Sequence, residues 1–353
     1  MKDVPNYAPF LQWNHASAAA GAITMGPDDR SGGVYEYDPA LQLAAETAIV
    51  TQRPLLIRGE PGSGKSSFAP FAARNLGWRY YEMTVTGRTE ARDLLWRFDA
   101  LARLRDANMR ERNQSIEPRR YVTPGVLWWA FNRDEALKLS AQRRKLIDPS
   151  AGDKAHEDEP HSTINATRDP QRAVVLLDEI DKADPDVPND LLEVLGLNRF
   201  LVDELALSVA REAPKPSNDP GSPNHFGSLL IIVTTNQERD LPAAFLRRCV
   251  AYTIQEPKTE EKQVARMKAI ALLHLGSLIG KDAKKLNLVA RVAAKCWQLR
   301  ENAKRKMRRG PSTAEFLDAL RVCLRLNIDP EGDLWQQVER GVLIKDEGSL
   351  AQS

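Results

Sequence analysis

The chain has 353 residues, 42% of them hydrophobic and 28% charged, which is an ordinary globular balance with enough apolar material for two units. A formal net charge of +2 gives no global basic field for nucleic acid or an anionic membrane. Three widely spaced cysteines, Cys249, Cys296 and Cys323, exclude a disulfide framework, and the scattered histidines suggest no zinc site.

Residues 1–34 are rich in Ala, Gly, Pro and Asp without a sustained period and read as an irregular N-terminal arm. From Asp38 the run LQLAAETAIV has helical spacing, and after Pro54 the run LLI, ended by Gly59, reads as a buried strand. SSFAPFAARNL (66–76) reads as a helix despite Pro70, and WRYYEMTV as a strand. Residues 88–107 read as one helix with Leu94, Leu95, Phe98, Leu101 and Leu104 on a single apolar stripe. VVLL (174–177) and LLIIVTT (229–235) are two further buried strands. Strands that are continuous apolar runs and alternate with helices predict an α/β fold, a parallel sheet with helices on both faces.

Residues 140–170 and 211–224 are polar and rich in Pro, Asp and Ser, and read as long loops. Beyond Pro257 the strand signals stop and amphipathic helices follow, which predicts a small all-α domain. The expected boundaries are an arm at 1–34, an α/β core at 35–256, a helical lid at 257–330, and a tail at 331–353 that adds one short helix and then frays. The N-terminus has no apolar signal core and no run reaches the roughly 18 apolar residues of a membrane span, so a cytoplasmic protein without membrane contact is expected.

The strongest chemical signal is the G-x-x-x-x-G-K-S segment Gly59, Glu60, Pro61, Gly62, Ser63, Gly64, Lys65, Ser66, followed by Ser67, set between a strand and a helix. Its glycines let backbone N–H groups curl around phosphate oxygens, and the helix N-terminus adds its positive dipole end. Lys65 brings a charge to the β- and γ-phosphates, and the Ser66 hydroxyl suits Mg²⁺. The second signal is the apolar run 174–177 ending in Asp178 and Glu179. Carboxylates at the end of a buried strand are costly unless they face a cation or water, so Asp178 reads as the Mg²⁺ partner and Glu179 as the group that activates the attacking water. Asp181 and Lys182 read as capping or intersubunit residues. Asn236, at the end of the strand 229–235, lies where open α/β sheets bind ligands and reads either as a holder of that water or as a turn former.

The order G-E-P-G-S-G-K-S, L-L-D-E-I-D-K-A, V-T-T-N, L-P-A-A-F-L-R-R-C over residues 35–328 resembles the AAA+ superfamily, specifically its MoxR-like members in the dynein-related, helix-2-insert branch. The resemblance implies a P-loop NTPase core with a helical lid, ATP and Mg²⁺ as ligands, and a homo-oligomeric ring, a hexamer, that hydrolyses ATP between subunits. It implies that Arg248, with Arg247 beside it, reaches a neighbour's site; a guanidinium there is worth on the order of 10³–10⁵ in rate. It also implies remodelling of a protein partner, such as one bearing a von Willebrand factor A-type domain. Residues 121–131 resemble the insertion of this branch, where Trp128, Trp129 and Phe131 are either exposed or ordinary core. Residues 198–202 resemble the strand after the acidic motif, with its hairpin partner expected in 211–224. One departure stands out: the late lid helix begins Pro311, Ser312, Thr313, without the arginine that many AAA+ proteins carry there. The basic run Lys304, Arg305, Lys306, Arg308, Arg309 precedes it and reads by default as a solvated face. Two other readings stay open at this point, a nucleic-acid-directed motor or restriction-type subunit and a nucleotide-gated switch in a defence system. Near-zero net charge disfavours nucleic acid.

Overall fold

The computed structural model describes residues 33–36, 38–109, 116–150, 155–212, 228–306 and 308–344. In chain order the elements are α1 (Pro39–Thr51), β1 (Leu55–Arg58), α2 (Phe68–Leu76), β2 (Trp78–Thr84), α3 (Ala91–Leu95), β3 (Trp96–Phe98), α4 (Ala100–Asn108), β4 (Val122–Pro124), α5 (Val126–Phe131), α6 (Arg133–Ile147), α7 (Ser162–Asn165), β5 (Asp169–Asp178), α8 (Asp186–Leu197), β6 (Arg199–Val202), β7 (Leu207–Ala210), β8 (Leu229–Thr235), α9 (Ala243–Arg248) and β9 (Val250–Thr253). The helices α10 (Glu260–Ile279), α11 (Ala283–Arg305), α12 (Thr313–Leu326) and α13 (Trp335–Val338) follow.

The described residues fall into two compact units, one holding 39–58 and 72–253, the other 33–38, 59–71 and 254 onward. The first unit is built on a five-stranded sheet in the order β2-β5-β8-β1-β9, every pair parallel, with helices on both sides. The expected α/β architecture is therefore present. The run 229–235 is buried throughout and Leu55, Leu56 and Ile57 are fully buried, because a parallel strand covered on both faces has no solvent side to alternate toward. Each such side chain contributes about 1.5–3 kcal/mol on burial.

The single helix expected over 88–107 is instead broken. α3 ends at Leu95, Trp96–Phe98 pairs antiparallel with Val122–Pro124, and α4 starts afresh with Asp99 accepting the Ala102 N–H at 2.8 Å. The cause is tertiary. Trp96 stacks on Phe200 at 5.9 Å between ring centroids and donates Nε1–H to Glu204 at 2.8 Å, which an uninterrupted helix would not allow. Leu94 and Leu95 are buried, whereas Leu101 and Leu104 lie on the exposed α4, which buries no residue. The β3–β4 excursion returns to the helical layer at Gly125, whose N–H donates to Leu95 O at 2.8 Å. A Cβ at Gly125 would lie 2.6 Å from Leu94 O, so only glycine allows the two helix ends to meet. Trp128, Trp129 and Phe131 are all core residues, which rules out the exposed alternative. Arg79 ties this helix to the sheet by donating to Trp129 O at 3.0 Å and Tyr81 Oη at 2.8 Å; burial first of all pushes the Tyr81 hydroxyl far above its usual range.

Two loop expectations also change. Residues 140–147 belong to α6, whose Arg144 grips Asp158 through two bonds of 2.7 Å, so the stretch 140–170 is part helix and anchored. The partner of β6 is β7, in antiparallel register Arg199↔Ala210, and not the stretch 211–224, most of which lies outside the described residues.

In the second unit α10, α11 and α12 pack around Met267, Val292, Ala293, Cys296, Phe316 and Leu320. α12 is fixed at its start by a reciprocal capping box between Ser312 and Glu315. The expected short helix after Pro330 is α13, and Trp335, Val338 and Leu343 are buried in this core. Residues 345–353, where the tail was expected to fray, and residues 1–32 of the arm lie outside the described residues. Among the described residues no helix is long and apolar enough to cross a membrane.

Candidate active site

Parallel strands all end at one edge of their sheet, and both acidic candidates sit there. Asp178 is the last residue of β5 and is 6% exposed; Glu179 follows in the left-handed region at φ 60°. That conformation is strained for a side chain with a Cβ, and it turns the chain into a single 3₁₀ turn, Ile180–Lys182. Asn236, directly after β8, donates Nδ2–H to Glu179 Oε1 at 3.2 Å. The neighbouring Thr234 is fully buried, donates its hydroxyl to Asp178 Oδ1 at 2.6 Å and accepts the Glu179 N–H at 2.9 Å. The structure thus brings together Asp178, Glu179 and Asn236, with Thr234 as a fourth member. A threonine at the end of an apolar strand is indistinguishable in sequence from one chosen for β-propensity, so no signal separated it from Thr235.

Asp181 is 3% exposed, and its Oδ2 accepts the Glu238 N–H at 3.0 Å. It therefore pins the segment that leaves Asn236 and leads to α9. Arg247 and Arg248 form the last turn of α9, where positive charge suits the helix dipole. Both are exposed, and among the described residues neither makes an ion pair.

The glycine-rich segment belongs to the second unit and leaves directly from the end of β1 in the chain. It runs as turns through Ser67, and α2 begins only at Phe68 rather than at Ser66, with Pro70 in the first turn, where a missing N–H costs least. Lys65 is buried and folded back on its own loop, donating to Gly59 O at 2.8 Å and Glu60 O at 2.9 Å. Behind the loop, the Tyr35 ring packs on Phe68 and Phe71 at 5.6 and 5.2 Å. Gly62, at φ 75°, faces the start of α12: a Cβ there would lie 2.4 Å from Ser312 Cβ.

The lid start indeed carries no arginine. Lys304, Arg305, Lys306, Arg308 and Arg309 are exposed, in keeping with a solvated face. Arg300 of α11 is buried and donates to Pro311 O at 2.7 Å and to Glu256 Oε1 at 3.1 Å. In the sequence Arg300 precedes the basic cluster and reads as one more helical surface residue.

A family model for AAA domains of the dynein-related subfamily matches residues 54–249, more than half of the chain. The chain belongs to this AAA family. No curated protein matches it significantly. Membership makes this AAA domain a P-loop NTPase fold with a helical C-terminal region, a nucleotide-binding and ATP-hydrolysing type of domain. The matched stretch runs from the residue before β1 to Cys249, so it takes in the phosphate loop, Asp178, Glu179, Asn236 and both arginines of α9 in this AAA protein.

Proposed function

We propose that this AAA protein is a MoxR-like ring ATPase that spends ATP hydrolysis on remodelling or activating a protein partner. What supports the hydrolytic half most is the cluster in which Thr234 joins Asp178 to the backbone of Glu179 while Asn236 holds the Glu179 carboxylate. The MoxR-like half is supported by the motif order and by residues 121–131, which resemble the insertion of this branch and follow on from the β3–β4 pair that interrupts the helical layer between α3 and α5.

In this reading Gly59, Glu60, Pro61, Gly62, Ser63, Gly64, Lys65, Ser66 and Ser67 receive the triphosphate through backbone N–H groups and the Lys65 charge. Lys65 must leave the carbonyls of Gly59 and Glu60 to do so. Mg²⁺ suits the donor chemistry of these two residues taken one by one: it accepts a carboxylate such as Asp178 and a hydroxyl such as Ser66 beside phosphates and water. The ion supplies charge neutralisation on the phosphates. Asn236 orients the water and Glu179 takes its proton as the oxygen attacks the γ-phosphorus. The bond to the bridging oxygen breaks, and ADP and phosphate leave. Arg248, with Arg247 beside it, stabilises the transferring group of the adjacent subunit in a hexameric ring. The partner is a protein, such as one with a von Willebrand factor A-type domain, and the setting is the cytoplasm.

The test is steady-state hydrolysis with and without Mg²⁺, combined with sedimentation of the Glu179→Gln variant in ATP. Mg²⁺-dependent turnover, an ATP-stabilised ring and no response to DNA or RNA are expected. Stimulation by nucleic acid with a steep salt slope would replace this reading with a nucleic-acid motor.

A further inference from the structure

Both oxygens of the Glu179 carboxylate already accept a hydrogen bond. Asn236 holds Oε1, and Lys182 Nζ donates to Oε2 at 2.5 Å. The second bond is built into the local backbone. Glu179 is the left-handed residue that precedes the 3₁₀ turn Ile180–Lys182, and the Lys182 N–H donates to Glu179 O at 3.0 Å, which closes the chain into one tight turn between the two residues. Lys182 is therefore stacked over Glu179 by the chain itself. Asp181 and Glu238 also surround its ammonium, which is held above its usual range chiefly by the hydrogen bond to Glu179. The Lys182 side chain is 41% exposed against 30% for Glu179, so the cation is the member of the pair free to swing away.

An ammonium donating to a carboxylate oxygen takes one of its acceptor sites and draws charge from the group that must accept the water proton. Asn236 is neutral and its bond is longer; the charge-assisted bond from Lys182 is the stronger of the two. We propose that Lys182 is a restraint on Glu179, a positioning residue that parks the carboxylate in a resting state and must release it before each hydrolysis. This rests on the reading of Glu179 as the proton acceptor. It gives the L-D-E-I-D-K sequence a reason to place a lysine three residues after the glutamate: a built-in brake on turnover between productive encounters.

The test is steady-state ATP hydrolysis by the full chain carrying Lys182→Met, which keeps an unbranched stem without the charge, and Lys182→Arg, which keeps a cation. Lys182→Met is expected to raise kcat by about two- to fivefold, the scale of releasing a part-exposed ion pair, with KM unchanged. Lys182→Arg is expected to stay at the parent rate. In a Glu179→Gln background Lys182→Met should change nothing. Unchanged kcat in Lys182→Met would make the contact an ordinary surface pair, and a lowered kcat would make Lys182 an assistant to hydrolysis; either overturns the restraint. Thermal melting checks the fold, and Lys182→Gln serves if the methionine variant does not fold. Wild-type turnover in Glu179→Gln alone would instead remove the role assigned to Glu179, a separate failure.

Discussion

Thr234 and Asp178 share a hydrogen bond of 2.6 Å between the hydroxyl and Oδ1, and the same hydroxyl accepts the Glu179 N–H at 2.9 Å. One buried side chain on β8 therefore sets both the aim of the acidic strand end and the strained backbone of the next residue. Thr234→Val keeps the shape and deletes the hydroxyl. It is expected to lower kcat by about 10- to 100-fold, the usual cost of losing a group that orients a reacting one. Thr234→Ser should recover much of that rate. Equal turnover in the valine variant would show that the bridge does not matter.

Gly62 and Ser312 give a second test. Gly62→Ala adds a Cβ that meets Ser312 Cβ at 2.4 Å and sits at φ 75°. The loop must shift, and ATP affinity is expected to fall by about tenfold or more, which titration of a fluorescent analogue would read. Ser312→Gly removes the obstructing atom while costing the α12 cap only about a few tenths of a kcal/mol. The double variant should regain part of the affinity. No recovery would assign the whole loss to backbone strain at position 62.

If Arg248 acts on a neighbour, Arg248→Ala and Glu179→Gln subunits should each bind ATP and hydrolyse it poorly, for different reasons. A mixture of the two contains interfaces with an intact Glu179 on one side and an intact Arg248 on the other, and should recover part of the activity. Size measurement must first establish that both assemble and exchange. A mixture as inactive as its components would remove the trans role, and wild-type turnover in Arg248→Ala would move it to another residue such as Arg247.

Burial pushes all three thiols up, Cys249 to about 12 and Cys296 and Cys323 to about 11, from an ordinary value of 9.0. Below pH 9 the thiols are neutral in both folded and unfolded chains and their contribution to stability is fully present. As pH rises from 9 toward 11–12 the unfolded chain loses these protons first, so stability falls across that window. Urea midpoints measured from pH 7.5 to 10.5 should show the fall, and Cys→Ala variants should flatten it. At pH 7.5 alkylation followed by intact mass should be slow at all three positions; fast labelling of the partly buried Cys249 would contradict its raised thiol.

The sequence by itself determined four of the five strands of the sheet, β1, β2, β5 and β8, while β9 went unread. Runs such as LLIIVTT have no polar alternation because both their faces are covered, and that is a local property of composition. The glycine spacing from Gly59 to Ser66 is legible for a similar reason: phosphate binding by backbone needs particular residue types in consecutive positions. Tertiary structure decided whatever depended on residues far apart in the chain. Residues 88–107 have helical periodicity, yet Trp96 leaves the helix to stack on Phe200, more than a hundred positions away. Thr234 looks like a β-former until β5 and β8 lie side by side and bring its hydroxyl to Asp178. Lys182 follows Glu179 closely, but only the positive φ at Glu179 and the 3₁₀ turn after it stack the two side chains. Periodicity and propensity register what a residue does to its own backbone; these three positions were settled by what the fold placed opposite them.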